Sequence, residues 1–343
     1  MPISACSRLR RAALAATLAF ITACASSPAP RARPSPPGHT GGTTAEADLR
    51  VLAWNVAETA FARDVKGFRA HLAQARPDIL LLDEVLPTAA GAPLSDALAP
   101  VASRQAGEWK LVVGESGGRQ RGVIASRLPL ERLPELAGPV PYPPADRDRI
   151  RSRMDAANEA RPIYTMDGGI PVSGAIAQVG KRRVLLVAID LQCCGNAPDS
   201  WQEDRRIVET REIRRRITQV LARTHVDALI VSGDLNLVNT PLPLMTLAGP
   251  YPAPHYGLLA AELTHLDGTE TWTWDGRGTP FPSRPMDFLL YDPRVLELRE
   301  AYVLDSADLD AAELARLDLQ PDSSSRLSDH RPLVAAFNWR SGR

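Results

Sequence analysis

Residues 227–236 read DALIVSGDLN, and the rest of the architecture can be worked out from them. The apolar run ALIV, followed by serine and glycine, predicts a strand over 227–233. Asp234 and Asn236 follow at once. Since the strand belongs inside a sheet, these two polar side chains are expected at the edge of that sheet. Taken alone, the pair is also explained by an Asx-turn.

The same arrangement, an apolar strand with a polar residue at its end, recurs along the chain. The residues concerned are Asn55 (strand 49–56), Glu84 (78–86), Asp190 (183–191), Asp234 with Asn236 (227–233), Asp287 (286–291) and Asp329 with His330 (332–338). One such residue is commonplace as a turn former. If all the strand ends converge, they form a cluster of hard oxygen ligands with one imidazole, which suits Mg²⁺ and a phosphate substrate.

The remaining periodicities complete an α/β protein. Further strands are predicted at 109–114, 121–126, 172–179 and 297–303, and helices at 62–76 and 203–222. A Pro-rich and then charged segment, 132–170, is predicted to leave the core. Strands outnumber helices and most neighbours can pair antiparallel. We therefore expect a four-layer sandwich, in which two mixed β-sheets pack face to face with helices on the outside.

Five segments together resemble a known family. They are Trp54-Asn55, Asp83-Glu84-Val85, Gly233-Asp234-Leu235-Asn236, Asp287-Phe288 and Ser328-Asp329-His330. Each motif alone is weak, but five in order, each at a predicted strand end, are specific. The set resembles the endonuclease/exonuclease/phosphatase superfamily of metal-dependent phosphoesterases, over about residues 49–339. The resemblance implies the sandwich fold and hydrolysis of a phosphoester, above all a phosphodiester.

The resemblance also implies a metal site. Glu84 would bind Mg²⁺ directly, with Mn²⁺ as the alternative cation. Asn55 would lie beside the metal and take part in catalysis, and Asp329 would bind or support the metal. Oxygen ligands of this kind suit a hard divalent cation.

The catalytic roles follow from the same resemblance. Asp234 would orient or deprotonate the attacking water, and Asn236 would donate to the scissile phosphate. His330 would stabilise or protonate a phosphoryl oxygen, while Asp287 holds its other ring nitrogen. Phosphodiester hydrolysis builds negative charge on oxygens, so a cation, an amide donor and an imidazolium supply the field that it needs.

Two positions depart from the family pattern. Many members have Gln before the metal-binding glutamate, where this chain has Asp83. Strict alternation along a strand predicts that Asp83 and Glu84 point to opposite faces. Many phosphodiesterases of the family carry His or Tyr where this chain has Asp190. We expect Asp190 to contact the substrate, although a carboxylate repels phosphate unless it is bound to metal, protonated or turned away.

The first residues resemble a targeting segment. Three arginines precede the apolar stretch AALAATLAFITA, which is too short to span a bilayer, and Cys24 follows as in a bacterial lipobox. We expect cleavage before Cys24 and lipid on that cysteine. An ordinary secretory signal with an incidental Cys24 is the alternative.

This interpretation divides the chain into three parts. They are a signal peptide over 1–23, a flexible Pro/Ser/Gly-rich tether over 24–47 and a catalytic domain over 48–343. We expect a protein of the cell envelope, lipid-anchored in the outer membrane and facing the periplasm or the exterior, because Ala25 follows the cysteine.

Composition argues against a strongly basic surface. Loss of residues 1–24 removes three of the 40 basic residues and none of the 40 acidic ones, which leaves a net charge of −3. There is no specific nucleic-acid signal. We expect a monomer that meets the membrane only through Cys24 and acts on a phosphate ester of unknown identity. A non-catalytic ligand-binding lipoprotein that keeps the fold is the second hypothesis, motivated by Asp190.

Several other residues are expected at or near the site, or apart from it. His255 is expected at the surface, and His265 is a weak candidate for the lip of the site. The stretch TWTW (271–274) indicates strand packing, with base stacking as the minority interpretation. Cys193 and Cys194 are expected at the rim, as two reduced thiols or as a vicinal disulfide.

Overall fold

The structure, a computed structural model, describes residues 46–160, 165–195 and 197–341. Cys24, the predicted signal peptide and most of the predicted tether lie outside these residues. Within the described ranges, no helix has the length and hydrophobicity needed to cross a membrane.

The described chain folds into strands and helices in the following order. The strands are β1 Leu49–Glu58, β2 Ile79–Val85, β3 Lys110–Val113, β4 Arg121–Ser126, β5 Leu130–Arg132, β6 Val172–Val179, β7 Arg182–Asp190, β8 Ala228–Asp234, β9 Leu259–Ala260, β10 Asp287–Tyr291, β11 Leu296–Val303 and β12 Leu333–Trp339. The helices are α1 Ala60–Arg63, α2 Val65–Ala75, α3 Ala92–Leu98, α4 Pro134–Ala137, α5 Pro144–Ala156, α6 Trp201–Arg223, α7 Leu242–Ala248, α8 Ala311–Leu317 and α9 Ser323–Leu327.

The strands form two six-stranded sheets. The order is β11-β12-β1-β2-β4-β3 in the first sheet and β5-β6-β7-β8-β10-β9 in the second. The pairs β1–β2 and β7–β8 are parallel, and the other pairs are antiparallel. Both sheets are therefore mixed, as the sequence predicts.

The two sheets pack face to face through their apolar sides. Leu81 of the first sheet and Ile230 of the second belong to one buried cluster. Phe68 of α2 packs on the outer side of the first sheet, and Ile213 of α6 on the outer side of the second. The four-layer sandwich predicted from the alternating pattern is confirmed.

Local sequence explains where the helices begin. Ser200 caps α6, because its side chain accepts a hydrogen bond from the backbone N–H of Glu203. The single helix predicted over 62–76 is interrupted at Asp64, whose side chain caps α2 by accepting from the N–H of Gly67. An aspartate inside a helical pattern can thus begin a second helix.

The segment 132–170 differs from its prediction. It carries α4 and α5, and Leu136 of α4 and Ile150 of α5 join the core of the second sheet. Its charged run faces solvent at Arg149 and Arg151, and Arg149 and Arg153 form ion pairs with Asp204 of α6. Helices α4 and α5 are therefore part of the outer helical layer.

Candidate active site

Strand register brings three of the predicted carboxylates to one edge of the second sheet. Asp190 ends β7 and lies opposite Asp234, which ends β8. Asp287 begins β10 and pairs with Asp234 from the other side. In the first sheet, Asn55 of β1 pairs with Asp83 of β2. The convergence of strand ends inferred from the sequence is therefore present.

His330 lies between two of these carboxylates. Its Nδ1 is 2.8 Å from Oδ2 of Asp287, and its Nε2 is 3.6 Å from Oδ2 of Asp234. Burial alone would lower the pKa of this imidazole, but the charges of Asp287 and Asp234 outweigh burial and raise the pKa well above its usual value. The raised pKa favours the imidazolium, in which Nδ1–H donates to Asp287.

Thr273 supports this pair, and sequence reasoning assigned it only to packing. Its Oγ1 donates to Oδ2 of Asp287 at 2.6 Å and accepts from the backbone N–H groups of Met286 and Asp287, both at 2.9 Å. The hydroxyl thus fixes the carboxylate that fixes His330. A threonine in a run of alternating aromatics carries no sequence signal for that contact.

Asp234 and Asn236 form the Asx-turn that was the alternative interpretation, and they also face the site. Oδ1 of Asp234 accepts from the N–H of Asn236 at 2.8 Å. Nδ2 of Asn236 donates to the carbonyl of Leu191 at 2.9 Å, which leaves its second N–H for another acceptor. Burial, opposed by the charge of His330, raises the pKa of Asp234 to about 8.

A second group of carboxylates meets on the other side of Asp234. Glu84, Asp190 and Asp234 each offer an oxygen that lies within 4.8 Å of the other two. Glu84 Oε2 accepts from Nε2 of Gln120 at 2.7 Å. Desolvation, followed by the charges of Glu84 and Asp234, raises the pKa of Asp190 well above its usual value. Three converging carboxylate oxygens fit the hard divalent cation that the resemblance implies.

The prediction that Asp83 and Glu84 point to opposite faces is wrong. The β2–β4 register shifts between Leu82 and Val85, and Glu84 has φ +53°, so the alternation breaks at this point. Asp83 is 1% exposed and neither of its carboxylate oxygens has a hydrogen-bond partner. Desolvation and then the charge of Asp190 raise the pKa of Asp83 well above its usual value. Both acidic side chains therefore face the same cluster.

The last two predicted metal neighbours lie at different depths. Asn55 is buried, its Oδ1 accepts from the N–H of Ala57 at 3.1 Å, and its Nδ2 has no partner. Asp329 is exposed, and its Oδ2 accepts from Nε1 of Trp274 at 2.9 Å. Asp329 belongs to neither group of converging ligands among the described residues.

Part of this set opens onto a cavity of 830 Å³. Its lining includes Glu84, Cys193, Cys194, Asp234, Asn236, Trp274, Phe281, Arg284, Asp329 and His330. The cavity is several times larger than a phosphate group. It therefore has room for the alcohol groups of an ester as well as for the phosphate.

The other two histidine candidates lie outside this cavity. His255 is buried with Nδ1 2.6 Å from Oδ2 of Asp292, so its predicted place at the surface is wrong. His265 is also buried, between Asp308 and the carbonyl of Trp272. In both cases the partner lies too far along the chain to be read from the local sequence.

Comparisons with known proteins agree with this geometry. The sequence profile described as the Endonuclease/Exonuclease/phosphatase family matches residues 52–330. No curated protein matches the chain. Among solved structures, the chain is similar to truncated TDP2 of Caenorhabditis elegans, with 16% identity, a TM-score of 0.54 and coverage of 84% of this chain and 97% of the other.

Two further structures show the same likeness. TDP2 of D. rerio, complexed with a single-strand DNA product, gives 16% identity, a TM-score of 0.50 and coverage of 84% and 98%. An endonuclease/exonuclease/phosphatase from Bacteroides vulgatus gives 13% identity, a TM-score of 0.53 and coverage of 85% and 99%. At these identities the likeness concerns the fold, and the profile match supplies the family. The chain belongs to the endonuclease/exonuclease/phosphatase family of metal-dependent phosphoester hydrolases.

Proposed function

We propose that the chain is a Mg²⁺-dependent phosphodiesterase of the bacterial cell envelope. The observation that carries the chemistry is the buried Asp287–His330 pair. Asp234 lies 3.6 Å from the second ring nitrogen of His330, and it is also one of three converging carboxylates, with Glu84 and Asp190. Asp234 thus contacts the imidazole that would transfer a proton and also belongs to the group that would hold the cation. Phosphodiester hydrolysis requires both on the same phosphate.

The cation would be held by Glu84 and Asp190, with Asn55 nearby. When bound, it supplies positive charge against the phosphoryl oxygens. Holding a cation also explains why Asp190 is compatible with a phosphate, because a metal-bound carboxylate no longer presents its full charge to the substrate. Mn²⁺, which also prefers oxygen ligands, is the alternative to Mg²⁺.

The remaining residues handle the substrate and its protons. Asp234 accepts a proton from the attacking water. Because Asp234 lies beside His330, the proposed base and the proposed acid are at the same site. His330 donates a proton through Nε2 toward a phosphoryl or leaving-group oxygen, while Asp287 holds Nδ1–H. The free N–H of Asn236 donates to a non-bridging oxygen.

For the substrate, we propose a class narrower than the family's range. The likeness to a TDP2 solved with a DNA product raises a nucleic-acid substrate, but a net charge of −3 after loss of the signal peptide does not favour a polyanion. We therefore propose a small phosphodiester, with phospholipid and nucleic acid as the alternatives. The second function, a non-catalytic binding lipoprotein, is favoured only by Asp190 and is opposed by the complete Asp287–His330–Asp234 set.

One assay tests the reaction. The purified full chain is incubated with bis-p-nitrophenyl phosphate or p-nitrophenyl phosphate in Mg²⁺, Mn²⁺ or EDTA. We expect metal-dependent release of p-nitrophenol, faster from the diester. Absence of metal-dependent turnover on these esters and on a nucleic-acid and phospholipid panel would favour the binding protein.

The location is tested separately, because it depends on Cys24 alone. We propose a monomer anchored through lipid on this cysteine to the outer membrane. In bacterial cells, wild-type protein is expected in the membrane fraction and the Cys24→Ala protein in the soluble envelope fraction. Membrane fractionation of Cys24→Ala would contradict the lipid anchor.

A further inference from the structure

Cys193 and Cys194 lie side by side in the wall of the cavity, and the proposed hydrolysis uses neither. Their Sγ atoms are 2.8 Å apart, closer than two sulfur atoms in ordinary contact. Both residues are exposed, so a reagent that enters the cavity can reach the sulfurs. The pair is therefore an accessible dithiol placed beside a hydrolytic site.

A buried arginine, Arg206, fixes the backbone around the pair through hydrogen bonds. Nη1 of Arg206 donates to the carbonyls of Gln192 at 2.8 Å and of Cys194 at 2.7 Å. Arg206 is fully buried, and its Nε donates to Glu203 at 2.9 Å. The N–H of Gln192 donates to Oε2 of Glu209 at 2.8 Å. Because the loop is fixed on both sides of the pair, the sulfurs meet without further ordering of the chain.

The two thiols differ in their surroundings. The hydrogen bond with Cys193, aided by the charge of Arg206 and opposed by desolvation and Glu159, lowers the pKa of Cys194 to about 7. The same hydrogen bond, with desolvation, raises the pKa of Cys193. The thiolate is the nucleophile in disulfide exchange. The loop therefore presents one attacking sulfur, on Cys194, and one that attacks second.

We propose that Cys193 and Cys194 form a dithiol site for reversible exchange with small disulfides of the glutathione class. The Cys194 thiolate attacks one sulfur of the disulfide, that S–S bond breaks, and the leaving thiolate takes a proton from solvent. The Cys193 thiol then loses its proton to solvent and attacks Sγ of Cys194, and the second thiolate leaves. The protein loses two electrons and two protons, and the small disulfide takes up both to become two thiols.

Adjacency makes the product easy to reduce. Neighbouring Cα atoms are about 3.8 Å apart, below the roughly 4.4–6.8 Å of ordinary disulfides, so a ring between the two cysteines is strained. Strained and exposed disulfides return readily to thiols. The site therefore suits exchange in both directions better than permanent cross-linking.

Peptide mass spectrometry tests the site. The full chain is treated with oxidised glutathione, the remaining thiols are alkylated, and the protein is cleaved with trypsin. The peptide between Arg183 and Arg205 contains both cysteines, whereas Cys6 and Cys24 fall in other peptides. We expect a wild-type peptide that has lost two hydrogens and carries no glutathione, and that returns to the dithiol with reduced glutathione.

The single variants test ring closure. Cys193→Ser and Cys194→Ser should each stop at one glutathione on the remaining sulfur, because neither variant can close the ring. A wild-type peptide that stays fully alkylated, or that carries glutathione without closing the ring, would overturn the proposal. The mass readout needs no turnover, so its outcome is independent of the proposed phosphodiesterase activity.

Discussion

The two halves of the active site differ in how their polar atoms are satisfied. In the proton-handling half, made of Asp234, Thr273, Asp287 and His330, the side chains bond to one another or to the backbone. In the cation half, made of Asn55, Asp83, Glu84 and Asp190, three buried atoms of Asp83 and Asn55 have no partner. Each such atom costs about 1–3 kcal/mol. The protein therefore completes the first half by itself, whereas in the second half the two oxygens of Asp83 are open to a bound cation and Nδ2 of Asn55 to an acceptor.

The largest effect on activity is expected when the imidazole of His330 is removed. His330→Gln should lower kcat on bis-p-nitrophenyl phosphate by about 10²–10⁴-fold, because general acid–base catalysis contributes about that much. His255→Gln is the matched control, since it breaks another buried His–Asp pair, 2.6 Å long, that lies outside the cavity. The measurement is steady-state kinetics together with Mn²⁺ titration calorimetry. Equal kinetic losses in the two variants would show that His330 acts only in folding.

Substitutions in the cation half should lower the affinity of the protein for a divalent metal. Glu84→Gln and Asp190→Asn should each weaken Mn²⁺ binding by at least about tenfold, since even residues behind the ligands contribute about 10–100-fold. Glu297→Gln is the control, because Glu297 pairs with Arg299 on the surface. Calorimetry on the full chain reports the affinity directly. Unchanged affinity in Asp190→Asn would remove Asp190 from the cation position and return it to the substrate.

The sequence predicted the proton-handling half better than the cation half. Asp234, Asp287 and His330 follow from strand ends, and the β8–β10 register brings Asp234 and Asp287 together. Asp83 was misplaced because strict alternation holds only without a bulge, and a positive φ at Glu84 carries no signal in a non-glycine residue. The fold shows the same limit. Apolar periodicity predicted the strands and the sandwich, but the helix break at Asp64 depends on a local side-chain hydrogen bond that periodicity does not show.

A third prediction concerns stability and pH. The pKa values of Asp83, Asp190 and Asp234 are raised by burial and neighbouring charge, that of Asp234 to about 8. The folded state therefore binds more protons than the unfolded state above pH of about 4, so stability is present below that pH and is lost as pH rises toward 8. Asp83 and Asp190 extend the loss in the same direction.

Thermal unfolding checks this sign. In EDTA, the melting temperature should fall by several degrees between pH 5 and pH 8, where 1 kcal/mol corresponds to roughly 2–4 °C for 150–250 residues. Mg²⁺ should reverse the fall at pH 8, because it binds the deprotonated carboxylates. Asp83→Asn should flatten the curve. A melting temperature that rises with pH in EDTA would contradict the burial of these acids.

Within the proton-handling half, Thr273 should act through Asp287. Thr273→Val removes the hydrogen bond to Asp287, worth about 1.5–3 kcal/mol, and also the acceptor of the N–H groups of Met286 and Asp287. It should lower kcat by at least about tenfold, with little change in Mn²⁺ affinity. The exposed neighbour Thr271 supplies the control variant Thr271→Val. The pH profile of kcat distinguishes positioning from folding, because a looser Asp287 should shift the limb that reports His330. An unshifted profile would leave Thr273 with a packing role.

The smallest effect is expected at the boundary of the cation half, where Asp329 binds Trp274 instead of joining the ligand groups. If Asp329 supports the site through this bond, Asp329→Ala and Trp274→Phe should each lower kcat/KM by a few-fold, because a neutral or exposed hydrogen bond contributes about 0.5–1.5 kcal/mol. The double variant should lose no more than either single one, since both remove the same contact. If Asp329 binds the cation, Asp329→Ala alone should weaken Mn²⁺ binding more than tenfold while Trp274→Phe leaves it unchanged. Calorimetry on the three variants therefore decides whether this aspartate belongs to the metal or only to the wall of the cavity.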